Sequence, residues 1–72
     1  MKPKRYPIEA AINAAAEVFS DSPNTLDAIF LQWIEGTMKA KKQAGHEVDL
    51  NYSRPFAVQR VRALIKNQEG KP

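Results

Sequence analysis

Seventy-two residues make one small domain, with no room for a second. The chain has no cysteine and one histidine, which excludes disulfide staples and thiolate or histidine-based zinc sites, and no run approaches the roughly 18 apolar residues of a membrane span. With 43% hydrophobic and 26% charged residues it reads as folded throughout, and its net charge of +3 is unevenly spread.

Residues 1–38 hold three basic and five acidic residues, whereas residues 39–72 hold eight basic and three acidic. The positive field therefore belongs to the C-terminal half, plus a short basic arm at residues 1–6. That arm carries Lys2, Lys4 and Arg5, is interrupted by Pro3, and reads as extended. No apolar stretch follows it, so it is not read as a signal peptide. The absence of cysteine suits a cytoplasmic protein.

The single three-helix domain is expected over residues 7–69, with a tail at 70–72. The first helix is predicted over Pro7–Phe19. Ile8, Ala11, Ile12, Ala15, Val18 and Phe19 share one face at helical spacing, and Pro7 suits the first turn. Five alanines in this segment (Ala10, Ala11, Ala14, Ala15 and Ala16) raise helix propensity and let a neighbour approach closely. Ser20–Asn24 then reads as a turn and cap, with Ser22-Pro23 or Asn24 starting the next helix.

The second helix is predicted over Thr25–Ala44, stopped by Gly45. It carries the only tryptophan, Trp33, and most of the large apolar residues, so it is expected to be central. A helical wheel divides it into two apolar stripes. The broad one holds Leu26, Ile29, Phe30, Trp33, Thr37, Ala40 and Ala44 and is expected to face the core. The narrow one holds Leu31, Ile34 and Met38. It is internal if the other helices flank it on both sides, and a binding patch if they do not. Gly36 sits mid-helix, and a close helix crossing is the expected compensation.

Gly45–Ser53 is the longest irregular piece. Val48, Leu50 and Tyr52 alternate with polar residues, a period-2 pattern. Nothing else in the sequence suggests a pairing strand, so this piece reads as an extended connector, or as a strand exchanged in a dimer. The third helix is predicted from Pro55, capped by Ser53 or Arg54, to Gln68. Ala57, Val58, Val61, Leu64, Ile65 and Gln68 share one face, while Gln59, Arg62 and Lys66 line the opposite one and Arg60 lies alone on a side.

The fold class expected is thus all-α, three helices around a central long one, alone or as a homodimer. Catalytic chemistry is poorly supplied. His46 follows a helix-ending glycine, the serines sit in no nucleophile motif, and the three glycines are isolated at positions 36, 45 and 70. No enzyme activity, metal or cofactor is implied. The favoured reading is a non-catalytic regulatory module that binds another protein, its own copy included. Leu31, Ile34, Met38 and Phe56 would supply the contact, and Arg60, Arg62 and Lys66 a basic rim. The alternative is a nucleic-acid-binding regulator using Lys2, Lys4, Arg5, Arg54, Arg60, Arg62 and Lys66.

Overall fold

The computed structural model describes residues 4–69. Lys2 and the 70–72 tail lie outside the described residues. The elements run β1 (Arg5–Tyr6), α1 (Ile8–Val18), α2 (Asp27–Gln43), β2 (Glu47–Val48) and α3 (Arg54–Glu69). The chain is a three-helix domain with one short parallel strand pair.

The core is built from one stripe of each helix. Ala11, Ile12, Ala15 and Ala16 come from α1, Phe30, Ile34 and Met38 from α2, and Ala57, Val58, Val61 and Ile65 from α3. The α2 stripe advances by four residues at each step, so it follows one ridge of the helix. The closest helix pair is α1 with α3, not a pair involving α2. Alanines explain this, because Ala11, Ala15 and Ala57 keep no bulk between the two backbones. Each helix packs on both of the others, and α1 carries four buried residues in eleven.

α2 starts later than its sequence suggests. Thr25 N–H and Oγ1 both donate to the Ser22 carbonyl, at 3.1 and 2.7 Å, closing a turn around Pro23. Neither Ser22 nor Asn24 caps the helix. Leu26 occupies the N-cap with no side-chain hydrogen bond, and Asp27 follows in the first turn, where a negative charge suits the helix dipole. The C-terminal stop at Gly45 is as expected. His46 N–H donates to the Lys41 carbonyl and Gly45 N–H to the Lys42 carbonyl, both at 3.0 Å, while Gly45 takes φ +96°. This is the paired-bond helix ending that favours glycine, since an L side chain is strained there.

Ser53 caps α3: its Oγ accepts from Phe56 N–H at 3.3 Å, and its carbonyl from Ala57 N–H at 3.0 Å. Arg54 already lies within the helix, one residue before the predicted start.

The Glu47–Val48 segment does find a partner, contrary to the connector expectation. The basic arm supplies it: Arg5 pairs with Glu47 and Tyr6 with Val48 in parallel register, and Glu47 N–H donates to the Lys4 carbonyl at 2.8 Å. Parallel strands need a long crossover, and α1 with α2 provides it. Residues 4–6 therefore belong to the domain and are not a free arm. Asp49 locks the junction. One of its oxygens accepts from the Arg5 guanidinium at 3.1 Å, and the other from Ile8 N–H at 3.2 Å.

Candidate functional site

The narrow α2 stripe does not form a binding patch. Ile34 and Met38 are fully buried in the core, and Leu31 is half-buried against it. α1 and α3 both pack on α2, and Ile34 and Met38 sit in the core the three helices share. Ile34 and Met38 are thus corrected from partner contacts to core residues. Of the four apolar contacts expected, only Phe56 stands open, at 52% exposure.

The arginines are engaged within the chain. Arg62 is the clearest case. Its Nε donates to Asp27 Oδ1 at 3.0 Å, one terminal nitrogen to the Pro23 carbonyl at 3.1 Å, and the other to the Thr25 carbonyl at 2.8 Å and to Asp27. The same guanidinium lies 4.9 Å from the Phe30 ring centroid. It ties α3 to the turn before α2 and uses the planar fork that only arginine has. A phosphate or an acidic partner would have to displace all of these acceptors. Arg62 is therefore a clamp, not a rim residue.

The other three arginines each meet a carboxylate on another element. Arg5 pairs with Asp49 at 3.1 Å, Arg54 with Glu35 at 3.2 Å, and Arg60 with Glu9 at 3.7 Å. These pairs are largely exposed and individually weak. They nonetheless set a carboxylate beside each of these arginines. Lys4 and Lys66 are exposed, and Lys41 sits 5.1 Å from the Tyr6 ring centroid.

Two grooves mark the surface. The larger, about 410 Å³, lies between α2 and the connector and is lined by Glu35, Lys39, Lys42, Leu50, Tyr52 and Arg54 among others. Burial pushes the Tyr52 hydroxyl above its ordinary value of 10.0; the Glu35 carboxylate adds to the shift and Arg54 partly opposes it. The smaller, about 320 Å³, lies between α2 and α3, where Leu31, Pro55 and Val58 meet Asp27 and Arg62. Neither gathers a nucleophile with a base. Among the described residues no three His, Cys, Asp or Glu side chains converge on a metal position. Among the described residues no helix is long and apolar enough to cross a membrane.

The surface that stands out is the outer flank of α2. Leu26 is 69% exposed and Ile29 45% exposed, although both were expected in the core. Trp33 is half-buried, meeting Phe19 edge-on at 6.2 Å. Gly36 and Ala40, further along, are exposed. These five residues follow one another at steps of three, four, three and four. They form a straight apolar and small-residue strip beside the core face. An added Cβ at Gly36 would meet nothing within 4 Å. No close crossing within the chain accounts for this glycine, which costs about 1 kcal/mol relative to alanine in a helix interior. The three–four spacing was visible in the sequence as the outer edge of the broad stripe. It was read as core because that stripe also contains Phe30, which is buried.

No family model, curated protein or solved structure matches this chain.

Proposed function

We propose that the chain is a small non-catalytic interaction module that binds a protein partner through the outer flank of α2. One observation carries this reading: Leu26 and Ile29 stand exposed beside the half-buried Trp33, whose inner side packs on the core, so that an apolar strip reaches the surface. Exposed large apolar residues in a row on one helix mark interaction surfaces, because leaving them in water costs solubility with no gain in folding. Phe56 lies on another helix and is a secondary contact at most. Arg60 and Lys66 remain candidates for a charged rim, and Arg62 does not.

The nucleic-acid reading has weaker support. Arg5, Arg54, Arg60 and Arg62 are each held by a carboxylate, which leaves lysines as the main free cations.

The test compares two ligand classes against one variant. A captured and purified partner protein should bind the wild-type chain in a defined ratio. Ile29→Asp should weaken that binding at least about tenfold, with the helical spectrum unchanged. Fluorescence anisotropy with labelled DNA and RNA at low salt supplies the contrast. Tight nucleic-acid binding that falls steeply with salt and ignores Ile29→Asp would replace the interaction reading with the alternative.

A further inference from the structure

The α2 strip has a shape that fits one occupant in particular. We infer that it is the seam of an antiparallel helix pair formed with a second copy of this chain, an inference that rests on the interaction reading above. Ile29, Trp33, Gly36 and Ala40 repeat within α2 at steps of four, three and four residues, with Leu26 at the N-cap before them. That is the spacing by which one helix offers a seam to another, with each side chain entering a hole on the facing helix.

Size is distributed so that the strip complements itself. Its N-terminal part is bulky, with Leu26, Ile29 and Trp33, and its C-terminal part is small, with Gly36 and Ala40. A parallel copy would set Trp33 against Trp33 and leave Gly36 facing Gly36, with a clash at one level and a gap at the other. An antiparallel copy sets Trp33 over Gly36 of the second copy and Ile29 over Ala40 of the second copy, twice each by symmetry. The open space at Gly36 then has a use: it admits an indole.

Charge points the same way. Glu17 and Asp21 are exposed beside the bulky end, where Phe19 packs on Phe30 and Trp33, and no basic side chain among the described residues pairs with either. Lys39 is exposed at the small end, and no described carboxylate pairs with it. Antiparallel alignment brings the acidic end of each copy toward the basic end of the other and opposes the two helix dipoles. A parallel pair would place like charges together.

Sedimentation equilibrium of the full chain, from micromolar to millimolar, tests the inference. The wild type should form a dimer. Ile29→Asp and Gly36→Leu should remain helical by circular dichroism and weaken dimerisation at least about tenfold. The second substitution adds a good helix former, so it blocks the seam without disturbing the fold. Orientation is read by cross-linking, which is clean because the chain has no cysteine. A mixture of the single variants Ile29→Cys and Ala40→Cys should oxidise to a mixed dimer faster than either variant alone.

A wild type that stays monomeric over the whole range overturns self-association, while the partner-binding reading stands on its own Ile29→Asp test. A dimer that neither substitution weakens puts the interface elsewhere and overturns the seam. Ile29→Cys alone cross-linking as fast as the mixture overturns the antiparallel arrangement.

Discussion

Asp49 holds the start of a helix forty-one positions earlier in the chain: its carboxylate accepts the Ile8 backbone N–H at 3.2 Å. The first-turn N–H groups of a helix need acceptors, and Pro7, the N-cap residue, offers no side-chain oxygen. A distant carboxylate fills that role and engages Arg5 with its other oxygen. Asp49→Ala should therefore cost about 0.5–2 kcal/mol, the range for losing a capping side chain. Denaturant unfolding measures it. Amide exchange should also accelerate at Glu47, whose N–H donates across the strand pair to Lys4. Unchanged exchange there would mean that Asp49 does not seat β1.

Arg62 should not be replaceable by lysine. Its guanidinium reaches the Pro23 and Thr25 carbonyls and the Asp27 carboxylate together, which a single ammonium cannot do. We expect Arg62→Lys and Arg62→Ala to lose similar stability, about 1.5–3 kcal/mol, as for hydrogen bonds that involve a charged group. Full retention of the melting temperature by Arg62→Lys would show that only the charge matters.

The two described glycines should respond in opposite directions to the same change. At Gly45, with φ +96°, alanine should destabilise by about 1–2 kcal/mol through left-handed backbone strain. At Gly36, alanine should stabilise the isolated chain by up to about 1 kcal/mol, because its Cβ meets open space. Unfolding at low protein concentration separates this gain from any effect on association.

The inner and outer faces of α2 should separate equally clearly. Ile34→Ala removes a fully buried side chain and should cost about 2–5 kcal/mol. Leu26→Asp changes a residue that is 69% exposed and should leave unfolding within about 0.5 kcal/mol of wild type. A large loss from Leu26→Asp would place that residue in the core.

Tyr52 should contribute a slope to stability at alkaline pH. Its folded value lies above the ordinary 10.0, so below pH 10.0 the hydroxyl is protonated in both states and its contribution is fully present. Above that point the unfolded chain loses its proton first, and the contribution fades as pH rises through the raised folded value. Tyr52→Phe should flatten the stability curve above pH 10.0 relative to wild type, as followed by urea unfolding at a series of pH values.

Periodicity made much of the fold legible. The inner faces of α1 and α3 hold Ile12, Ala15, Val61 and Ile65 as their spacing implies, and Gly45 ends α2 as its residue type implies. α2 itself was ambiguous, because apolar residues cover more than half of its circumference. Only the directions from which α1 and α3 arrive select Phe30, Ile34 and Met38 over Leu26 and Ile29. The strand pair showed only the period-2 alternation around Val48 and an extended N-terminal arm; nothing local joined the two, since each member is two residues long and its partner lies beyond two helices. The arginine pairings were hidden for the same reason: Arg62 and Asp27 are 35 positions apart. The outer strip had a signal in its three–four spacing, but spacing cannot say which side of a helix is covered.

The pairing of Lys4–Tyr6 with Glu47–Val48 joins the start of the chain to a segment made much later. The first strand to leave the ribosome has no partner until more than forty further residues have followed it. Closing so long a loop costs about 3 kcal/mol from its length alone, more than a two-residue pair supplies. Seating β1 therefore gains from the helices between being docked already. Any interruption of the chain before Asp49 would leave the start of α1 without its acceptor. The N-terminal end is thus completed most readily once the middle of the molecule is in place.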